Sequence, residues 1–190
     1  EMDKQITRVR PLWMPIGIEG SAQTMMHGDG YGLSRSDLYV TSLMDFHRNW
    51  RTRANELSET LKIITMFGTY NRKYYGTRYY GKAMNQTRLL TAAYDQVLDK
   101  YDLLMMPTTA IKSQPIPAPD ATREEVVQRA FEMLANTSPF DISHHPAMSI
   151  PCGMSDGLPV GLQLIGKHFD ESTIYRAAHG FQEGVDWKAI

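Results

Sequence analysis

Asp141, His144, His145 and Ser149 place the side-chain types of a Ser-His-Asp triad in one short stretch. Such a triad needs a hydroxyl nucleophile, an imidazole to shuttle its proton and a carboxylate to orient the ring. Geometry defines it, and this spacing does not. Ser149 falls inside an expected strand, which leaves Ser143 as the more exposed hydroxyl. The same histidines with Asp141 also offer donor atoms for a transition metal. Neighbouring side chains on extended backbone point apart, so one ion rarely takes both rings, and no metal site is expected. Cys152, the single cysteine, stands between Pro151 and Gly153 with no cation near it in sequence. It is expected to be a small buried hydrophobe, not a thiolate nucleophile.

Two further stretches could bind a ligand. Alternating glycines in His27-Gly28-Asp29-Gly30-Tyr31-Gly32 could cradle a phosphate, but no Walker-type lysine follows, and a plain turn is expected. Tyrosines alternate with arginines and lysine from Tyr70 to Tyr80, a composition that can stack on single-stranded nucleic acid. Without a wider basic surface, the expected role is a helix–helix junction whose rings cover core and keep their hydroxyls wet.

The elements that hold these residues follow from periodicity. Residues 1 to 33 have no sustained period, although Met14 to Ile18 could be a short strand. Leu43, Phe46, Trp50, Ala54, Leu57, Leu61 and Ile64 recur every three or four residues. They predict one long helix starting near Ser34 or Ser36 and ended or bent at Gly68. Leu90, Ala93, Tyr94, Val97 and Tyr101 mark a second helix. The run Leu103 to Met106, stopped by Pro107, reads as a strand buried on both faces. Residues 107 to 121, with four prolines, form an extended loop. Thr122 and Glu125 make a capping box for a third helix. Ser138 to Pro146 reads as irregular.

Strands are expected over Ala147 to Ile150 and Val160 to Ile165. Asp156-Gly157 signals a hairpin between them, with a parallel placement left open. Asp170 opens the last helix, with Ile174, Ala178 and Phe181 inward. The order predicts an α/β fold in which a mixed β-sheet core is covered by helices.

Lysine and arginine (20) nearly balance aspartate and glutamate (21) in the 190 residues, which points away from nucleic acid and acidic lipid as partners. One cysteine allows no internal disulfide, and no apolar run is long enough to cross a bilayer. A cytoplasmic setting is therefore expected. The first residue is Glu1, so the chain is read as starting inside a longer product or after a trimmed start, with a natural start at Met2 as the less favoured alternative.

Four stretches, in order and spacing, resemble the amidase-signature family. They are Tyr101-Asp102-Leu103-Leu104-Met105-Met106-Pro107-Thr108, the run Pro139 to Gly153, Leu158-Pro159-Val160-Gly161-Leu162-Gln163-Leu164-Ile165-Gly166, and the helix start Phe169-Asp170-Glu171. The likeness covers about Tyr94 to Phe181 most fully. Pro11-Leu12-Trp13 and Glu19-Gly20 look like bacterial amidases that accept aromatic and aliphatic amides. The chain departs from the family at Asp141, where many members have Asn, and at His144-His145, where many have Gly before the Pro-Ala pair. These changes bear on substrate, not on fold.

The resemblance implies that residues 1–190 are the C-terminal portion of a single amidase-signature domain, lacking an N-terminal segment with the catalytic residues. It implies an amidase that cleaves a carboxylic amide to acid and ammonia through an acyl-serine, with no cofactor. The family's lysine, cis-peptide serine and nucleophilic serine have no counterpart here, so no catalytic residue is assigned and the chain alone is expected to be inactive. Its expected contribution is scaffold and part of the substrate pocket, with Ile142, Leu134 and Trp13 as lining candidates. An apolar Leu134, near a position where glutamine-using members carry an acid, favours neutral or aromatic amides. The expected partners are a small-molecule amide and the missing N-terminal part, whose strands would complete the sheet; a homodimer is allowed. An amidotransferase subunit and a non-catalytic scaffold or binding module are the alternatives.

Overall fold

The structure, a computed structural model, describes residues 9–31 and 38–190. It has two compact units, one built from Pro11–Asn85 with Asp120–Val127, the other holding Gln86–Pro119 and Gln128–Ile190.

Most of helix α1 (Val9–Met14) lies in the first unit, followed by two turns of π-helix, Pro15–Glu19 and Ala22–His27. The short strand expected at Met14 to Ile18 is therefore helical; Ile18 is a buried side chain of that wide turn. The single long helix expected from Leu43 to Ile64 is broken. Helix α2 (Thr41–His47) runs into a 3₁₀ segment, Arg48–Glu56, whose Arg53 leaves helical geometry, and Leu57 is extended. Ser58 then caps α3 (Glu59–Tyr75) by accepting from the Leu61 N–H at 3.3 Å. The cap interrupts the apolar stripe: Leu43 and Phe46 are 62% and 69% exposed. The proposed start at Ser34 or Ser36 lies outside the described residues.

Gly68 neither ends nor bends α3. A Cβ there would stand 2.3 Å from the Ala22 Cβ, so its missing side chain lets the π-helical turn lie against α3. Glycine does end α3 at Gly76, whose φ of 65° closes the last turn. Helix α4 (Arg78–Leu98) follows and continues into the second unit. The tyrosines around this junction pair with one another, Tyr70 with Tyr74 at 4.6 Å and Tyr75 with Tyr79 at 5.4 Å between ring centres. They form the expected junction, but the rings stay about half exposed and do not cover core.

The second unit is built on a three-stranded antiparallel sheet ordered β1 (Leu104–Pro107), β3 (Leu158–Ile165), β2 (Ala147–Ser155). Helix α5 (Arg123–Glu132) begins in the first unit, where its first turn carries the expected cap, Thr122 Oγ1 accepting from the Glu125 N–H at 3.2 Å, and ends in the second. The stretch expected to be irregular contains a short helix, α6 (Ser138–Ser143). Proline in its first turn fits because that N–H has no helical partner.

The hairpin between β2 and β3 is confirmed and antiparallel, with Asp156 and Gly157 both at positive φ. Ile150 and Leu164 face helix α7 (Glu171–Gly184) and pack with its Ile174 and Ala178. β1 is not buried on both faces. Among the described residues it pairs with β3 alone, and Met105, opposite Leu164, is 68% exposed at the sheet's edge.

Candidate functional site

The histidine-rich segment meets chemistry supplied by distant sequence. Helix α6 ends at His144, which takes a left-handed conformation (φ 61°, ψ 19°). That turn exposes His144 and sends His145 into the interior. The side chain of His145 is fully buried, while that of Asp95, near the end of α4, is 50% exposed. His145 Nε2 lies 3.1 Å from Asp95 Oδ1, and its Nδ1 lies 2.9 Å from Ser143 Oγ. His168, from the turn between β3 and α7, stacks on the His145 ring at 4.1 Å between centres with a tilt of 32°. Tyr94 meets the same ring edge-on at 5.8 Å.

Burial sets the electrostatics. It lowers the His145 pKa most; the hydrogen bond with Asp95 opposes this, the nearby His168 adds to it, and the Asp95 charge opposes it. Burial also raises the Tyr94 phenol.

Ser143, His145 and Asp95 thus have the composition of a triad in hydrogen-bonded order. Access runs the wrong way for nucleophilic attack. Ser143 is 2% exposed, and the carboxylate is the member that reaches solvent. The expectation that Ser143 is more exposed than Ser149 is reversed, because α6 buries Ser143 while Ser149 lies on an outward face of β2. Asp141 and His144 are both exposed, and among the described residues neither joins the network. Sequence pointed to His145 but not to Asp95 or His168, which lie far from it along the chain. The only local hint was Asp95 one position after the apolar Tyr94.

Ser149 has another role. Its hydroxyl lies 2.6 Å from that of Thr108, and the two meet over Gly161, where a Cβ would stand 2.8 Å from Thr108 Oγ1 and 2.9 Å from Ser149 Oγ. Cys152 is half-buried at the irregularity where the β2–β3 register shifts between Pro151 and Gly153. The pocket candidates lie apart in the chain. Ile142 is buried in α6, and Leu134 is half-buried in the turns between α5 and α6. Trp13 belongs to the other unit, where its ring lies 3.2 Å from the position a Cβ on Gly17 would take.

The glycine loop of the first unit is a turn, as expected, as far as Tyr31; Gly32 lies outside the described residues. Its Gly28 and Gly30 amides donate to the carbonyls of Gln23 and Thr24, so they are not free to cradle a phosphate. Beside it lies a cavity of about 580 Å³ lined by Gln23, His27, Gly28, Thr69, Arg72 and Lys73. His27 Nε2 and Thr69 Oγ1 are 2.9 Å apart there, and Arg72 donates to Gln23 Oε1.

Comparison with known proteins covers most of the chain. The Amidase family model matches residues 6–175. The chain is 38% identical over 173 residues to an uncharacterized protein in the nthA 5′ region of Rhodococcus erythropolis, covering 90% of this chain and 87% of that one. It is 37% identical over 176 residues to an enantioselective amidase of Rhodococcus rhodochrous, covering 92% of this chain but only 34% of that enzyme. The fold is that of a bacterial aryl acylamidase of the amidase signature family. The TM-score is 0.58 at 18% identity, over 97% of this chain and 34% of the other. The chain thus spans about a third of these two enzymes and most of the R. erythropolis protein. Among the described residues, no helix is long and apolar enough to cross a membrane.

Proposed function

We propose, from the premise that this chain belongs to the amidase family, that it is the C-terminal part of an amidase hydrolysing a carboxylic amide to acid and ammonia through an acyl-serine. The nucleophile, its lysine and the oxyanion donors come from a segment outside residues 1–190. This part supplies scaffold and part of the substrate pocket, with Ile142 and Leu134 of the second unit as lining residues and Trp13 of the first unit as a separate candidate. The substrate is a small neutral amide, and the setting is cytoplasmic.

The observation that supports this reading is the meeting of Thr108, Ser149 and Gly161. Each comes from a different stretch that resembles the family, and adjacent strands bring them into contact. The open edge of β1 and the exposed Met105 suit a sheet continued by further strands.

A second reading, a non-catalytic module, draws on the R. erythropolis relative, most of whose length this chain spans. Ammonia release from benzamide separates the two. The chain alone should release none, and the chain joined to an upstream segment with the family's lysine and glycine–serine loop should release it. Release by the chain alone would place a nucleophile within these residues. No release from either would favour the module, and glutamine as the second substrate tests for an amidotransferase.

A further inference from the structure

We propose that Asp95, His145 and His168 form a binding site for one divalent transition-metal ion of the zinc class. Each residue offers one ligand atom, and the three atoms lie within 4.8 Å of one another. Zinc–nitrogen and zinc–oxygen bonds of about 2.0–2.2 Å at tetrahedral angles put two ligand atoms about 3.3 Å apart. His145 Nε2 and Asp95 Oδ1 already stand at 3.1 Å, so this pair has the separation that two ligands of one ion adopt. His168 has to turn out of its stack on the His145 ring, so that its lone pair faces the ion, as well as close in. Its ring is half-buried on a turn between β3 and α7, where side-chain rotation can supply a shift of about an ångström or more.

The buried member is the fixed one. Ser143 holds His145 from the far side through Nδ1, which orients the ring toward Asp95 and His168. A serine hydroxyl can serve both states. Without an ion, Nε2–H donates to Asp95 and the Ser143 O–H donates to Nδ1. With an ion, Nε2 gives its lone pair to the metal, the ring proton moves to Nδ1, and Nδ1–H donates to a reoriented Ser143 hydroxyl. The imidazole is neutral in both states, so metal binding needs no net proton loss from this ring.

The donor set selects the class of ion. Two imidazole nitrogens and one carboxylate oxygen suit Zn²⁺, Co²⁺, Ni²⁺ or Cu²⁺ far better than Mg²⁺ or Ca²⁺, which take oxygen ligands. Three protein ligands leave a fourth position for water. Exposed Asp95 and half-buried His168 form the entry side, so an ion arrives from solvent without opening the core. The binding does not depend on amide hydrolysis.

Calorimetric titration of the whole chain with Zn²⁺ alone tests the site, and visible absorption of Co²⁺ reports its geometry. One ion per chain should bind, with the intense d–d bands of four-coordinate Co²⁺. His168→Ala and Asp95→Asn should each weaken Zn²⁺ binding by about tenfold or more while circular dichroism stays unchanged. Both residues are on the solvent side, so folding is not at stake as it would be for His145. His144→Ala and His179→Ala, outside the cluster, should leave affinity within about twofold. No saturable binding, or binding that survives both ligand substitutions, would overturn the site.

Discussion

The hydroxyls of Thr108 and Ser149 meet at 2.6 Å across the face of Gly161. β1 and β2 flank β3, so residues on either side of Gly161 reach over its Cα and bond to each other. A methyl group at 161 would occupy that space, 2.8 Å from one oxygen and 2.9 Å from the other. Gly161→Ala should therefore destabilise the unit by about 1–3 kcal/mol through overpacking and a displaced hydrogen bond. A urea midpoint equal to that of the parent chain would show that the strands simply part. Combining the change with Thr108→Ala and Ser149→Ala, which remove both hydroxyls, should recover part of the loss.

His144 holds the left-handed turn that ends α6, and it is solvent-exposed. A left-handed residue with a Cβ costs roughly 1–2 kcal/mol, against the 0.5–1 kcal/mol that glycine loses in backbone entropy on folding. His144→Gly should thus stabilise the chain by about 0.5–1 kcal/mol, and His144→Val should destabilise it by more. Thermal melting of the two variants checks this; a fall in Tm for the glycine variant would mean that the imidazole makes a stabilising contact.

That position also marks what sequence could convey. Histidine seldom takes a positive φ, so the residue type gave no sign of the left-handed turn at His144. The hairpin, the Thr122 cap and α7 were legible because each rests on local rules: Asp-Gly at a turn, a hydroxyl before a helix, a three-to-four residue stripe. The break at Ser58 was missed because the apolar stripe runs through it, although Ser58-Glu59 is itself a helix-start signal. The two π-helical turns and the passage of α3 through Gly68 depend on a contact with Ala22, which periodicity does not encode. Asp95, His145 and His168 come from three elements, so only the fold assembles them.

Cys152 sits where the β2–β3 register slips, half-buried. No hydrogen-bond or charged partner is found for it among the described residues. A thiol there has no neighbouring base among the described residues to activate it or aim it at a carbonyl. Cys152→Ala should leave stability within about 1 kcal/mol and, in an enzyme containing this chain, turnover within about threefold. A loss on the order of a thousandfold in turnover would instead require a thiol mechanism.

Glu19 gives the fold a pH dependence whose sign can be worked out. It is 2% exposed on the π-helical turn Pro15–Glu19, and among the described residues neither carboxylate oxygen has a hydrogen bond of good geometry. Burial raises its pKa, and the Tyr80 backbone and the Arg72 charge only partly oppose that. The folded state therefore holds the proton more tightly than the unfolded chain does. Between the ordinary carboxylate range and the raised value, the folded form binds more protons, so stability falls as pH rises through that window. Below the window both states are protonated and the contribution is fully present; above it the charge is buried without adequate partners.

Glu19→Gln keeps the shape and removes the charge. It should raise stability at pH 8 by about 1–3 kcal/mol, the cost of a poorly partnered buried group, and change it little at pH 4. Urea unfolding of both chains at the two pH values measures this directly. An equal difference at both would mean that Glu19 does not titrate in this range, and a less stable variant at pH 8 would mean that the Arg72 attraction outweighs burial.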